Sequence, residues 1–223
     1  MDMAQFLVSG RFVDSGTPKV ADFARRCAAG ATNMRGAALQ LYTSIRDGIV
    51  YDPYVSFADE NNYRASGVLS AQRGFCIGKA ALLAACARAI GIPARVGYAD
   101  VRNHLTSPRL FSKIKTDVFR WHSYAELFLS ERWVKATPAF DTPLCERLDL
   151  KPLEFDGEAD SLFHPFDRSG RRHMEYLNDR GTFADVPFDT IKADFLIAYP
   201  SLMSTAGLAG DFRSEATAAR LEQ

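Results

Sequence analysis

The stretch "GFCIGKAALLAACARAIGIPARV", residues 74–96, limits the possible folds more than any other part of the chain. From Cys76 to Ile90 its only charges are Lys79 and Arg88, and alanine recurs throughout. A helix with no polar face must be enclosed by protein on most sides, and small side chains let neighbouring backbones come close. Gly91 and Pro93 supply the stop. The reading is a buried central helix around which the rest of the chain wraps. With 223 residues at 47% hydrophobic and 24% charged, there is enough apolar material for one sizeable core. No repeat or low-complexity linker divides the chain, so a single unit over 1–223 is expected.

Charge excludes some partners. Lys plus Arg and Asp plus Glu stand at 27 each, so no long-range field selects nucleic acid or an anionic membrane. No run approaches the ~20 apolar residues of a membrane span, and the opening "MDMAQFLVSGRFVDSG" lacks the pattern of a secretory signal; a cytoplasmic protein is expected. The cysteines Cys27, Cys76, Cys86 and Cys145 have no paired spacing, which favours free thiols, and no His or Cys pair has metal-ligand spacing. No metal or cofactor is expected.

Before the central helix, Thr17 and Pro18 mark a helix start and Gly30 a stop, while Met34, Ala38, Leu41, Tyr42, Ile45 and Ile49 recur at helical spacing. Residues 51–67, "YDPYVSFADENNYRASG", read as loop. After it, "IPARVGYADVRNH" reads as a strand, then a polar loop, then "WHSYAELFL" and "RWVKATPAF" as an antiparallel hairpin turning at "SE". His122, Tyr124, Glu126 and Phe128 share one face of its first strand. Beyond Asp141 the chain mixes Pro, Asp, Gly and aromatics, with little periodicity until "TIKADFLIAYPSLM".

Chemistry concentrates at Cys76. A thiol at a helix N-terminus, with Arg73 close in sequence, is placed for a thiolate stabilised by the helix dipole and a positive charge. That predicts selective reaction of Cys76 at slightly acidic pH. Gly74 would let the backbone pass close to a substrate carbonyl, and the Cys76 N–H could meet a developing oxyanion. His122, on a stiff strand, is the candidate base. Cys27, Cys86 and Cys145 read as packing residues, His104 as solvated, and His164 and His173 as structural or as lining a cleft.

These residues resemble the transglutaminase-like superfamily: G-x-C opening a helix that ends R-x-x-G-I-P-A-R, a histidine starting an aromatic-rich strand, then W-V and a proline on the next strand. "YTSIRDGIVYDPY" resembles the upstream helix and tyrosine turn. The resemblance covers about residues 35–140, leaving 141–223 as an extension that wraps the core or shapes a cleft. It implies an α+β, papain-like core with the nucleophile at the N-terminus of the central helix, packed on an antiparallel sheet. It also implies a catalytic triad in which a cysteine attacks an amide or peptide carbonyl of a peptide, protein or small amide, giving a thioester resolved by water or an amine, as in a cysteine protease or other hydrolase, or a transglutaminase. Cys76 and His122 match the family positions. The usual aspartate before the proline is replaced by Thr137, so the third member is Asp141, if the strand continues past Pro138, or Thr137 in its place. Tyr54, Gln72, Gly74 and Trp121 complete the set as oxyanion or cleft candidates.

Two alternatives have different chemistry. "RGFC" is similar to the R-G-G-x-C of arylamine N-acetyltransferases, which take acyl groups from coenzyme A, although Phe75 and Gly78 depart from that pattern. A non-catalytic binding or scaffold protein retaining the fold is the other.

Overall fold

The computed structural model describes residues 3–104, 106–204 and 208–215. Helix α1 (Pro18–Cys27) starts at Thr17 and Pro18 as the sequence predicts, and α2 (Met34–Gly48) is capped by Asn33, whose side chain accepts from the Gly36 N–H at 2.8 Å. A two-residue strand β1 (Val50–Tyr51) follows. Residues 51–67, read as loop, include a 3-10 turn at Glu60–Asn62 and the start of helix α3 (Ala65–Ala71). α3 is too short to display periodicity. Its Gly67 is there for packing: a Cβ would lie 2.2 Å from the Asn61 carbonyl oxygen. Strand β2 (Arg73–Gly74) pairs in parallel with β1 and leads into α4 (Cys76–Ala89).

Every residue of α4 from Ile77 to Arg88 is buried, with α1, α2 and α3 against it and the sheet opposite. Its two charges are spent on backbone carbonyls. Lys79 Nζ donates to Arg46 O and Ile49 O at 2.9 and 2.6 Å, closing the C-terminal end of α2. Arg88 donates to Ala94 O at 2.9 and 2.7 Å and to Val8 O at 2.8 Å. Gly78 admits the 3-10 turn, since a Cβ there would stand 2.2 Å from Asn62 O.

The sheet comprises β3 (Ala94–Asn103), β4 (Val118–Leu129), β5 (Arg132–Ala136) and β6 (Met174–Phe183), all antiparallel, in the order β5-β4-β3-β6. The β4–β5 turn places Ser130 and Glu131 at φ 49° and 65°, the two left-handed residues of a tight hairpin. The polar segment after β3 contains helix α5 (Pro108–Ile114), capped by Ser107, where a loop is expected from sequence. After Asp141 come α6 (Thr142–Arg147), β6 and α7 (Phe188–Ala198). β6 escapes the sequence reading because it is an edge strand, largely exposed and rich in polar residues. No helix among the described residues is long and apolar enough to cross a membrane.

Two apolar clusters fill the interior. The larger surrounds α4. The smaller joins Ala99 and Val101 of β3 to Phe140, Leu144, Cys145, Leu150 and Phe163 of the following segment. Cys76 packs against both, at their seam.

Candidate active site

Cys76 is the first residue of α4, and the preceding Phe75 makes no side-chain cap. The first-turn N–H groups of a helix have no intrahelical acceptor, so this end is open to negative charge. The N–H groups of Cys76, Ile77 and, from the sheet, Ser123 all favour the sulfur as thiolate. Burial works against them and wins: the thiol is pushed up to about 11. The expected depression therefore does not occur in this structure. Arg73, expected to help, points outward and pairs with Asp52 at 3.3 Å.

Helix α4 packs on β4, the strand that carries His122. Both Cys76 and His122 line a narrow apolar cavity of about 40 Å³, walled by Tyr51, Phe75, Phe119 and Trp121 and room for no more than a few waters. A bulge aims the histidine. His122 pairs with Ala99 and Phe119 with Val101, so Arg120 and Trp121 oppose the single residue Asp100. Trp121 adopts φ 59°, an uncommon conformation for a bulky side chain, and its surroundings hold it there. Its N–H donates to Asp100 Oδ1 at 3.1 Å, its indole N–H to Asp194 Oδ2 at 2.7 Å, and Arg180 lies 4.5 Å over its ring. Arg180 also bonds Asp100 at 2.5 Å and Asp194 at 2.9 Å. Trp121 is thus both a wall of the cavity and the residue that sets the strand leading into His122.

The His122 ring packs on Phe163, centroids 5.2 Å apart, and Phe163 in turn meets the edge of buried His173 at 5.6 Å. Burial, with His173 adding like-charge repulsion, pulls His122 down to about 4. Cys76 and His122 are therefore both neutral at pH 7. Among the described residues, His122 Nε2 is buried without a hydrogen-bond partner, and so is Thr137 Oγ1. Extending the β4–β5 register one residue past Ala125–Ala136 sets Thr137 opposite Tyr124, diagonal to His122 on the same face. Asp141 is committed elsewhere. It caps α6 through Leu144 N–H at 3.0 Å, accepts from Tyr51 N–H at 3.2 Å, and pairs with Arg213 at 2.7 Å. None of its hydrogen bonds goes to His122.

The other candidates are scattered. Gln72 ends α3 at φ 55° and spends its side-chain amide on Leu69 O at 2.6 Å. Gly74 serves packing: a Cβ would lie 3.0 Å from Val68, and its carbonyl accepts from Asp52 N–H. Tyr54 is buried, and its hydroxyl donates to Glu215. Sequence reasoning missed Tyr51, Phe119 and Phe163, while His173, read as structural or as lining a cleft, stands behind Phe163. Of the three missed only Tyr51 carried a signal, standing in the tyrosine turn next to the parallel β1–β2 pair.

The sequence matches the Transglutaminase-like superfamily over residues 21–138. Among curated proteins none matches. Among solved structures the chain is similar to a candidate cysteine protease from Cytophaga hutchinsonii, with a TM-score of 0.52 at 18% identity over 82% of this chain. That likeness is one of fold. The matched part is 47% of the Cytophaga chain, so this chain spans about half its length.

Proposed function

Since the chain belongs to the transglutaminase-like superfamily, we propose that it is a thiol enzyme in which Cys76 attacks an amide or peptide carbonyl and His122 moves the protons. The observation that carries this reading is the meeting of the uncapped α4 N-terminus with β4: α4 packs on that strand, and Cys76 and the His122 imidazole line the same cavity. A thiol held near 11 and an imidazole near 4 do not form a resting ion pair. Proton transfer therefore accompanies attack. As sulfur bonds to the carbonyl carbon, its proton passes to His122, and the carbonyl π electrons move to oxygen. First-turn N–H groups of α4 stabilise that oxyanion. Collapse expels the amine, which takes the proton from His122, and leaves a thioester. Water or a second amine, deprotonated by His122, then attacks the thioester carbonyl; the C–S bond breaks to give an acid or a new amide, and the leaving sulfur of Cys76 takes the proton back from His122. No cofactor enters this scheme.

Orientation of His122 comes from the bulge and from stacking on Phe163, and the Thr137 hydroxyl, diagonal to His122 on the same sheet face, is the acceptor assigned to the Nε2 proton during the reaction, a bond not made at rest. Asp141, fixed by Leu144, Tyr51 and Arg213, is a structural carboxylate at the edge of the cleft. The substrate class is a peptide, protein or small amide. The test is turnover of a panel of fluorogenic peptide amides, alone and with a primary amine acceptor. Cys76→Ala should abolish it and His122→Gln should lower it by roughly 100-fold or more. Undiminished turnover in Cys76→Ala would end the assignment.

A further inference from the structure

Residues 208–215 lie against Tyr51, which walls the cavity of Cys76, and against Tyr54 and Asp141. Leu208 N–H donates to Tyr54 O at 2.9 Å, and Phe212 presents its ring to Tyr51 and Tyr54, centroids 6.0 and 5.8 Å apart at 64° and 81°. Arg213 Nη2 meets Asp141 Oδ2 at 2.7 Å, and Glu215 takes the Tyr54 hydroxyl and the Arg109 guanidinium. Phe212 packs on both apolar clusters, as Cys76 and Tyr51 do.

The two contacts that distinguish this segment are those of Phe212 and Arg213. Asp141 is fully buried and already accepts two backbone N–H bonds, which hold its carboxylate in place whatever occupies the cleft. Tyr51 joins the two subsites: its N–H is bound to Asp141, its ring faces Phe212, and it walls the cavity of Cys76. An aromatic shelf and a fixed carboxylate, joined to the cavity wall of Cys76 through Tyr51, form a reader for an aromatic side chain followed by a cation. Two partly buried apolar side chains, Leu208 and Phe212, tie the segment to the core, so its attachment is peripheral and depends on these polar and aromatic contacts.

We propose that residues 208–215 are an intramolecular ligand of the Cys76 cleft, and that the cleft takes peptides in which an aromatic residue precedes a basic one. The proposal rests on Cys76 being the reactive centre, and accessibility of its thiol can be read without turnover. In the full-length chain, the Phe212→Ala/Arg213→Ala double variant should be alkylated at Cys76 by iodoacetamide at least tenfold faster than the parent, measured by peptide mass spectrometry at pH 8.5. A synthetic peptide of residues 208–215, Leu-Ala-Gly-Asp-Phe-Arg-Ser-Glu, should restore protection in that variant, while the same peptide with Ala for Phe and Arg should not. Asp141→Asn added to the double variant should weaken the peptide's protection by tenfold or more, without changing protection by a peptide whose Arg is replaced with norleucine. Circular dichroism matched to the parent establishes that the variants are folded. Equal alkylation of parent and folded double variant, or equal protection by both peptides, would overturn the proposal. If the amide panel shows no turnover yet these protection results hold, the enzymatic reading fails and the ligand reading stands.

Discussion

Lowering the pH from 6.5 to 4.5 should destabilise this protein by about 4 kcal/mol through two side chains. His122 and His173 are 6% and 2% exposed, and burial, the largest cause for each, brings both from 6.5 to about 4. In the unfolded chain they protonate near 6.5, whereas in the folded chain they stay neutral until about 4. Between those values the unfolded state binds more protons, so stability falls as pH falls, and the loss is complete below about 4. Each pKa unit corresponds to 1.36 kcal/mol, which gives about 2 kcal/mol per histidine over this interval once partial protonation at both ends is included. Carboxylates held low by their partners, such as Asp47 and Asp194, lose most of their contribution below pH 4.5, so most of the change in the chosen interval belongs to the histidines. The assay is urea unfolding at pH 6.5, 5.5 and 4.5. His173→Phe keeps an aromatic ring beside Phe163 and removes one titration, so its loss over the same interval should shrink to about 2 kcal/mol. A parent whose stability changes by less than about 1 kcal/mol, or a variant that loses as much as the parent, would refute the reasoning.

Gly78→Ala should lower stability by about 1–3 kcal/mol, because the new Cβ meets a backbone oxygen at 2.2 Å; Gly48→Ala, where nothing lies within 4 Å, should be neutral or stabilising by up to about 1 kcal/mol, both read by thermal melts. Asp141→Asn should leave turnover of an uncharged peptide amide within tenfold of the parent while Thr137→Val lowers it further; the reverse order would return Asp141 to the histidine. The alkylation rate of Cys76 should keep rising from pH 8 to 10, and a plateau below pH 7 would show the thiolate to be stabilised after all.

The central helix was legible because an alanine-rich run with two charges can only be enclosed, and both charges are indeed buried on carbonyls. The hairpin and β3 were legible by alternation. Short helices were not: α3 and α5 have seven residues each, too few for a 3.6-residue period to declare itself. β6 was hidden by its edge position, which spares it an apolar face. At the site, Cys76 and His122 could be picked from pattern and resemblance, but their protonation could not. Charge and helix position are visible in sequence, while desolvation depends on what packs above, including Phe163 and the chain after Asp141. Asp141 likewise looked available in sequence. Its Tyr51, Leu144 and Arg213 contacts come from three separate parts of the chain.

The most direct test of the account is to trap the acyl intermediate. Rapid acid quench of the enzyme during turnover of an accepted peptide amide, followed by peptide mapping, should find the acyl group on Cys76 alone among Cys27, Cys76, Cys86 and Cys145. Hydroxylamine should remove the adduct, and it should be absent from Cys76→Ala. Turnover with no acyl group on any cysteine, or with the group on one of the other three, would contradict it.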